Sequence, residues 1–252
     1  MNTVAVNFLH LNAVHFAYPD QGEVVHDVCL QLAHGEIHCL IGRSGCGKTT
    51  VLKLAAGLLK PLQGHIQLKG NPVHQPVSDM GFVFQSPTLL DWLSVLDNVL
   101  LPISLHSPVT DVHRAYGEQL LDQMGLAALR HAKPCQLSGG QQSRVAIARA
   151  LITQPAVLFM DEPFAALDAL TREELQRDFL ALCHAQGTSV LFVTHDISEA
   201  VYLADRVSLM HQGRMHVPLH ITLPRPRQSA MRYTPPFSAL CEQLRHAMDA
   251  TL

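Results

Sequence analysis

A glycine-rich run that follows a buried strand constrains this sequence more than any other feature. Residues 42–49 read Gly-Arg-Ser-Gly-Cys-Gly-Lys-Thr and match G-x-x-x-x-G-K-[ST] at every fixed position. An apolar strand pattern at 36–41 precedes the run, and a helical pattern at 48–59 begins within it. Glycines let backbone N–H groups point at an anion, and the helix N-terminus adds its positive dipole end. The sequence therefore predicts a phosphate-binding loop between a strand and a helix.

The polar side chains of this loop indicate a nucleoside triphosphate with Mg²⁺. We expect Lys48 to reach the β- and γ-phosphates and the Thr49 hydroxyl to bind Mg²⁺. The other predicted nucleotide contacts are Gly42, Arg43, Ser44, Gly45, Cys46, Gly47 and Thr50.

A second buried strand pattern ends in two carboxylates. Residues 156–160 are apolar, and Asp161 and Glu162 follow them directly. We expect Asp161 to hold Mg²⁺ through water and Glu162 to act as general base for the attacking water. An acidic pair at a helix N-terminus, which Pro163 also fits, is the alternative. The phosphate-binding loop favours the catalytic interpretation.

A second anion-binding pattern lies between these two features. Residues 137–141 read Leu-Ser-Gly-Gly-Gln and open a helical pattern, so a serine cap, two glycines and a helix dipole coincide. One chain does not need two such sites for one triphosphate, whereas two chains arranged head to tail would each close over the other's nucleotide. The predicted contacts here are Ser138, Gly139, Gly140 and Gln141.

Short apolar runs alternate with helical patterns along most of the chain, which indicates a mostly parallel sheet covered on both faces. Residues 24–32 alternate like an edge strand. Strand patterns stop between 86 and about 152, where 111–124 and 138–153 show helical spacing. The predicted fold is α/β: a P-loop NTPase core with a mixed, mostly parallel sheet, antiparallel edge strands and an inserted helical subdomain.

The predicted domain organisation follows from these patterns. We expect one ATPase domain over 4–217, with its core at 4–85 and 156–217 and its helical subdomain at 86–155. Residues 218–252 form a Pro-rich link and a short amphipathic helix over 238–248. Whether this tail regulates or only packs against the core is left open by the sequence.

The ordered set of motifs resembles the ATP-binding cassette (ABC) family over residues 4–215. The resemblance implies that Tyr18 stacks on adenine and that Gln85 senses Mg²⁺ and couples to a membrane subunit. It further implies that Asp168, in the run Ala166-Leu167-Asp168, contributes to the dimer interface and that His195 lies near the γ-phosphate. The implied catalytic residues are Glu162, His195 and Gln85, and the implied metal ligands are Thr49, Gln85 and Asp161. Plain packing of Tyr18 and a structural histidine at 195 are the alternatives.

The residues around these motifs are similar to those of the nitrate, sulfonate, taurine and bicarbonate importer ATPases. The similarity lies in 91–99, 170–176 and the tail run Leu-Pro-Arg-Pro-Arg at 223–227. Two positions depart from the pattern: Asp91 stands where that group has proline before Trp92, and Ser143 stands where the family usually has a longer polar residue. The departure at Asp91 leaves the solute open.

The resemblance implies an ATP-hydrolysing subunit of an import complex, most readily for an oxyanion such as nitrate, a sulfonate or taurine. Its partners would be a second copy of the chain, an integral membrane permease and, indirectly, a solute-binding protein. A thiamine-precursor pyrimidine or another small solute is the alternative cargo. A soluble ABC ATPase acting on ribosomes or DNA and a non-hydrolysing nucleotide-binding protein are the alternative functions. The intact Glu162 and His195 argue against the last of these.

Composition excludes several other classes. The chain has 252 residues, 48% of them hydrophobic and 15% charged, which is incompatible with a largely disordered protein. A net charge of −3 gives no reason to expect nucleic acid as a partner. The first residues lack a secretion pattern and no apolar run reaches the length of a membrane span, so we expect a peripheral protein on the cytoplasmic face of the inner membrane.

Cysteines and histidines provide no clear metal site. The six cysteines form no C-x-x-C pair and are expected to be reduced thiols in small core positions. Among sixteen histidines, His211, His216 and His220 lie close in sequence, but their spacing fits no tetrahedral pattern, which favours solvated side chains.

Overall fold

The computed structural model describes residues 8–19, 22–165 and 167–250. The chain divides into two compact units. The first unit runs up to Val77 and resumes at Gly187, and the second unit comprises Ser78–Gln186. The domain boundaries expected at 85/86, 155/156 and 217/218 stay predictions, as does the start at residue 4, which lies outside the described residues.

Three strands precede the first helix, and strands and helices are interspersed after it. The strands are β1 (Leu9–Ala17), β2 (Glu23–Leu32), β3 (Ile37–Ile41), β4 (Gln63–Leu68), β5 (Asn71–Pro72), β6 (Met80–Val83), β7 (Val157–Asp161), β8 (Ser189–Thr194), β9 (Arg206–His211), β10 (Arg214–Met215) and β11 (Leu219–His220). The helices are α1 (Lys48–Ala55), α2 (Val95–Ser104), α3 (Asp111–Gln123), α4 (Gly139–Leu151), α5 (Ala169–Gln186), α6 (Ile197–Leu203) and α7 (Pro235–Asp249).

The first unit contains an antiparallel and a mostly parallel group of strands. In the antiparallel group the order is β2-β1-β4-β5, so β2 is an edge strand, as its alternating pattern predicted. In the other group β3 pairs in parallel with β8 and β9, and the short strands β10 and β11 pair antiparallel with β9. Every residue of β3 and β8 is buried, which explains why both strands are mostly apolar in sequence. The predicted mixed sheet with antiparallel edges is confirmed.

Helix α1 is shorter than predicted, ending at Ala55 rather than at residue 59. Gly57 adopts a left-handed φ of 71°, and an added Cβ there would lie 2.7 Å from the carbonyl carbon of Gln75. The close backbone approach ends the helix although the next residues remain apolar.

The second unit contains the parallel pair β6 and β7 together with four of the helices. No strand is described between residues 86 and 152, so the predicted helical insertion is confirmed over that stretch. Helix α4 packs closely on β6 because Gly81 has no side chain: an added Cβ would lie 2.8 Å from the carbonyl oxygen of Ala150. Helix α2, which the periodicity did not predict, packs on α3 and α4 and contains Pro102.

The tail after residue 218 packs within the first unit. Strand β11 pairs with β9, and α7, which is longer than the predicted 238–248, packs on α6. No helix of the described chain combines the length and apolar character needed to cross a bilayer. All six cysteines are free thiols, but only Cys39, Cys46 and Cys183 are buried, so the core prediction is wrong for the exposed Cys29 and Cys135.

His38 is an unexpected polar group in the sheet core. Its imidazole is 2% exposed, and its Nε2 lies 2.9 Å from the Ser208 hydroxyl. Burial, assisted by the nearby Arg206 charge, lowers the pKa of His38 to about 3. The folded state therefore holds His38 neutral, whereas the unfolded chain protonates it below its ordinary pKa of about 6.5.

We expect His38→Gln to reduce the acid sensitivity of the fold. Because the folded pKa is depressed, the unfolded state binds more protons between about pH 6.5 and pH 3, and stability falls as the pH drops through that window. The loss of unfolding free energy between pH 7 and pH 5 should be smaller in His38→Gln by about 2 kcal/mol. Urea unfolding at both pH values measures this difference, with the exposed His131→Gln as control. Equal losses in His38→Gln and the parent would contradict the burial argument.

Candidate functional site

The phosphate-binding loop connects β3 to α1 in the first unit. Gly45 and Gly47 adopt left-handed φ values of 79° and 102°, which turn the backbone around the loop. At Gly42 an added Cβ would lie 2.3 Å from the carbonyl oxygen of Met210 on β9. Within the described residues no side chain caps α1, so its first N–H groups face the loop and suit an anion.

The Lys48 ammonium lies inside this loop. Its Nζ donates to the carbonyl oxygens of Gly42 at 2.8 Å and Arg43 at 2.9 Å, and the side chain is 6% exposed. The Cys46 sulfur lies 3.9 Å from the same nitrogen. The charge is thus held at the centre of the loop, where a bound phosphate would need it.

Tyr18 lies beside the loop. Its hydroxyl is 3.3 Å from the Thr50 Oγ1 at the start of α1, and its ring packs edge-on against Phe16 at 4.9 Å between centroids. The structure therefore brings the predicted adenine-stacking residue to the phosphate-binding helix of the same unit. Residues 20 and 21, next in sequence, lie outside the described residues.

His195 follows β8 directly and is exposed. The residues on either side of it, Thr194 and Asp196, form hydrogen bonds with α6. Asp196 caps that helix, because its Oδ1 accepts from the N–H groups of Ser198 at 2.8 Å and Glu199 at 3.2 Å. The buried Thr194 hydroxyl donates to the Glu199 carboxylate and accepts from the Asp196 N–H. The first unit thus contains the loop, Tyr18 and an exposed His195.

The second unit holds the predicted carboxylates and amide at the ends of two paired strands. Gln85 follows β6, and Asp161 ends β7. The Gln85 Nε2 donates to the Glu162 Oε2 at 3.3 Å. Asp161 is 6% exposed, and Glu162 adopts a left-handed φ of 46°, which is uncommon for a residue with a side chain. Such local backbone strain is typical of functional sites.

The donor chemistry of the predicted metal ligands suits Mg²⁺. A threonine hydroxyl, a glutamine amide and a buried carboxylate are hard oxygen ligands of the kind that Mg²⁺ prefers. The hydrogen bond between Gln85 and Glu162 shows that the second unit places amide and carboxylate groups together. Thr49 belongs to the first unit, and Gln85 and Asp161 belong to the second.

The Leu-Ser-Gly-Gly-Gln run forms the start of α4, with a capping box between Ser138 and Gln141. The Ser138 hydroxyl accepts from the Gln141 N–H at 3.3 Å, and the Gln141 side chain accepts from the Ser138 N–H at 2.9 Å. Gly140 faces Leu167, whose Cδ2 would lie 2.7 Å from an added Cβ. A polar cavity of about 500 Å³ lies at this helix start, lined mainly by residues of this run together with Arg144, Asp168 and Thr171.

Asp168 borders the same cavity and directly precedes α5. Hydrogen bonds from the Thr171 side chain and N–H lower the pKa of Asp168, which keeps it ionised. The second unit therefore brings Ser138, Gly139, Gly140, Gln141 and Asp168 to one cavity. Ala166, named with Asp168 in the sequence motif, lies outside the described residues.

The segment that follows Gln85 is an exposed loop held by two residues that sequence reasoning missed. Asn98, fully buried on α2, donates to the carbonyls of Leu90 and Ser94 and accepts from the Leu90 N–H at 2.8 Å. Arg149 on α4 donates to the carbonyls of Pro87 and Thr88 at 2.7 and 2.9 Å. Burial lowers the pKa of the Arg149 guanidinium. Neither residue stands out in the sequence, because Asn98 follows Asp97 on α2 and Arg149 is one of several polar residues on α4.

Residues 86–94, which we name the anchored loop, present apolar surface to solvent. Trp92 is 72% exposed, and its carbonyl accepts from Lys133 at 2.8 Å. Phe84, just before Gln85 and the loop, is 39% exposed. Exposed large apolar residues on an ordered loop are typical of a protein interaction site.

The three clustered histidines do not form a metal site in the described part of the chain. There, no group of three or more histidine, cysteine or carboxylate side chains is arranged to hold a metal ion. His211 ends β9, and His220 lies in β11.

Comparisons with known proteins agree on one family. A family model described as ABC transporter matches residues 25–165. The nitrate import ATP-binding protein NrtD of Synechococcus elongatus is 43% identical over 90% of this chain and 85% of its own length. The aliphatic sulfonates import ATP-binding protein SsuB 1 of Xanthomonas axonopodis pv. citri is 49% identical over 81% of this chain and 82% of its own. The dimeric post-hydrolysis structure of the ATP-binding cassette MJ0796, bound to ADP and Pi, has a TM-score of 0.77 at 30% sequence identity. The match covers 86% of this chain and 100% of that one.

We expect Lys48→Ala to weaken ATP binding by about tenfold or more, because it removes a charge-assisted contact to phosphate. Titration with a fluorescent ATP analogue measures the dissociation constant. Lys60→Ala, an exposed lysine just beyond α1, is the matched control and should bind like the parent. Equal affinity in Lys48→Ala and the control would exclude Lys48 from the phosphate site.

Proposed function

Because the chain belongs to the ABC transporter family and is an ATPase of that family, we propose that it energises an import complex. The observation that carries this proposal is the Gln85–Glu162 contact at the ends of β6 and β7, which pairs the predicted sensor of Mg²⁺ with the predicted general base. In this proposal ATP binding closes two copies of the chain, and hydrolysis reopens them.

Each catalytic residue has a defined task in this proposal. Lys48 neutralises charge on the phosphates, and Thr49, Gln85 and Asp161 would hold Mg²⁺, which screens the triphosphate when bound. Glu162 accepts a proton from the attacking water, and His195 contacts the γ-phosphate. The left-handed backbone at Glu162, directly after the buried strand β7, supports this assignment, because such strain is typical of functional sites.

The second anion site is assigned to the nucleotide of the partner copy. The start of α4 leaves Ser138 and Gly139 exposed beside the polar cavity of the second unit. N–H groups and the helix dipole at this position suit a γ-phosphate presented from outside the chain. Asp168, ionised at the rim of the cavity, then lies at the interface between the copies.

The anchored loop around Trp92 is assigned to docking on an integral membrane permease. Asn98 and Arg149 hold the loop backbone, so a partner would meet an ordered surface and the loop would lose little conformational entropy on binding. Gln85 precedes this loop directly, which would couple the nucleotide site to the docked partner. The chain would act at the cytoplasmic face of the inner membrane, with a solute-binding protein supplying the permease.

Relatives suggest the solute. NrtD is named for nitrate import and SsuB for aliphatic sulfonates import, and both solutes are small oxyanions. We therefore propose an oxyanion of this kind as cargo. A thiamine-precursor pyrimidine is the second candidate, because Asp91 departs from the oxyanion importer pattern. A soluble ABC ATPase without a membrane partner is the remaining alternative.

We expect Glu162→Gln to bind ATP normally, accumulate as a dimer and lose turnover by about a hundredfold or more, because the variant cannot accept the proton. Phosphate release and size-exclusion chromatography with ATP measure turnover and dimerisation. Glu173→Gln, at a half-buried position on α5, is the matched control. Parent-like hydrolysis by Glu162→Gln would show that another group activates the water.

We expect the tagged chain, purified gently from its own membranes, to carry a polytopic membrane protein in equal amount. Trp92→Ala should lose most of this partner while keeping ATP binding, because it removes the most exposed part of the docking surface. Val112→Ala, equally exposed on α3, controls for loss of an apolar side chain. Ribosomal or DNA-bound partners without a membrane protein would favour the soluble-ATPase alternative.

A further inference from the structure

Residues 223–249, which begin with the tail run Leu-Pro-Arg-Pro-Arg, contact α6. We name them the C-terminal strap. Its helix α7 packs on α6, and burial together with the nearby Asp196 carboxylate raises the pKa of the Cys241 thiol on α7. The strap therefore reaches the end of α6 that follows His195.

Arg227 of the strap holds the C-terminal end of α6. Its Nη1 donates to the carbonyl oxygens of Val201 and Tyr202, both at 2.9 Å, and the residue is 8% exposed. Carbonyls in the last turn of a helix have no partner within the helix, so the guanidinium satisfies groups that the helix leaves open. The Asp205 carboxylate, 3.7 Å from Nη2, balances the buried charge.

Arg232 of the strap holds the same helix along its length. Its guanidinium stacks on the Tyr202 ring, 3.8 Å from the centroid, and its Nη1 donates to the Ser198 hydroxyl at 3.2 Å. Ser198 lies in the first turn of α6 and Tyr202 in the last. A helix of seven residues is marginal by itself, so its position depends on contacts from outside, and the two arginines add to its packing on β3 and β8.

The position of α6 is transmitted to His195 by hydrogen bonds on both sides of it. Asp196 caps the helix through the N–H groups of its first turn, and Thr194 donates to Glu199 within the helix. A shift of α6 would therefore move the backbone that carries His195.

We propose that Arg227 and Arg232 are positioning residues, which hold α6 so that His195 meets the γ-phosphate during hydrolysis. The inference rests on the proposed function of His195. It assigns the strap a task in the ATPase reaction itself, beyond packing against the core.

The test compares variants of the full chain in ATP turnover, KM for ATP and thermal midpoint. Arg232→Met should lower kcat by about tenfold with KM changed less than twofold, because misplacing a catalytic group slows the reaction without weakening nucleotide binding. Arg232→Lys should recover part of kcat, since an ammonium can still donate to Ser198. Arg227→Lys should likewise lower kcat, and it provides an independent readout if Arg232→Met does not fold. Arg245→Met, exposed on α7, is the control and should match the parent.

His195→Ala, measured in parallel, separates the two levels of inference. If His195→Ala loses turnover while the folded Arg232 and Arg227 variants keep the parent kcat, the strap only packs and the positioning inference is overturned. A lower thermal midpoint with unchanged kcat would overturn it in the same way. If His195→Ala hydrolyses ATP like the parent, the assignment of His195 fails, and the positioning inference fails with it.

Discussion

The structure depends on one constraint: the backbone loop between β3 and α1 must pass very close to β9. Gly42 meets this constraint by leaving no side chain between the loop and the Met210 carbonyl of β9. The loop can then turn directly from β3 into α1 and hold the Lys48 ammonium at its centre. The parallel strands around β3 supply the rigid frame that fixes this geometry.

Each unit carries its own set of predicted functional groups. The first unit supplies the cation and the helix N-terminus, and the second unit supplies Asp161, Glu162 and Gln85 at the ends of β6 and β7. The second unit also exposes a further helix start beside Asp168. Membership of the ABC transporter family, predicted from the order of these motifs, is confirmed by the family model and the relatives.

Sequence reasoning predicted most elements but missed those whose pattern is local and irregular. Helix α2 was missed because Asn98 and Pro102 interrupt its apolar face, although both are accommodated: the Asn98 amide binds the loop before the helix. Helix α1 was predicted too long because Leu58 and Leu59 extend the apolar pattern past the Gly57 turn. In α1, the close approach of the Gln75 backbone to Gly57 overrode the periodicity.

The sequence by itself determined the family and the ATPase class of this protein, because a phosphate-loop motif, a strand-end carboxylate pair and a glycine-rich helix start are each built from consecutive residues. Only the tertiary structure decided which distant residues hold these motifs. Arg227 and Arg232 bind a helix about 30 residues earlier in the chain, and Arg149 anchors a loop about 60 residues before it. Such contacts form only when folding brings separate elements together, so no local spacing in the sequence predicts them.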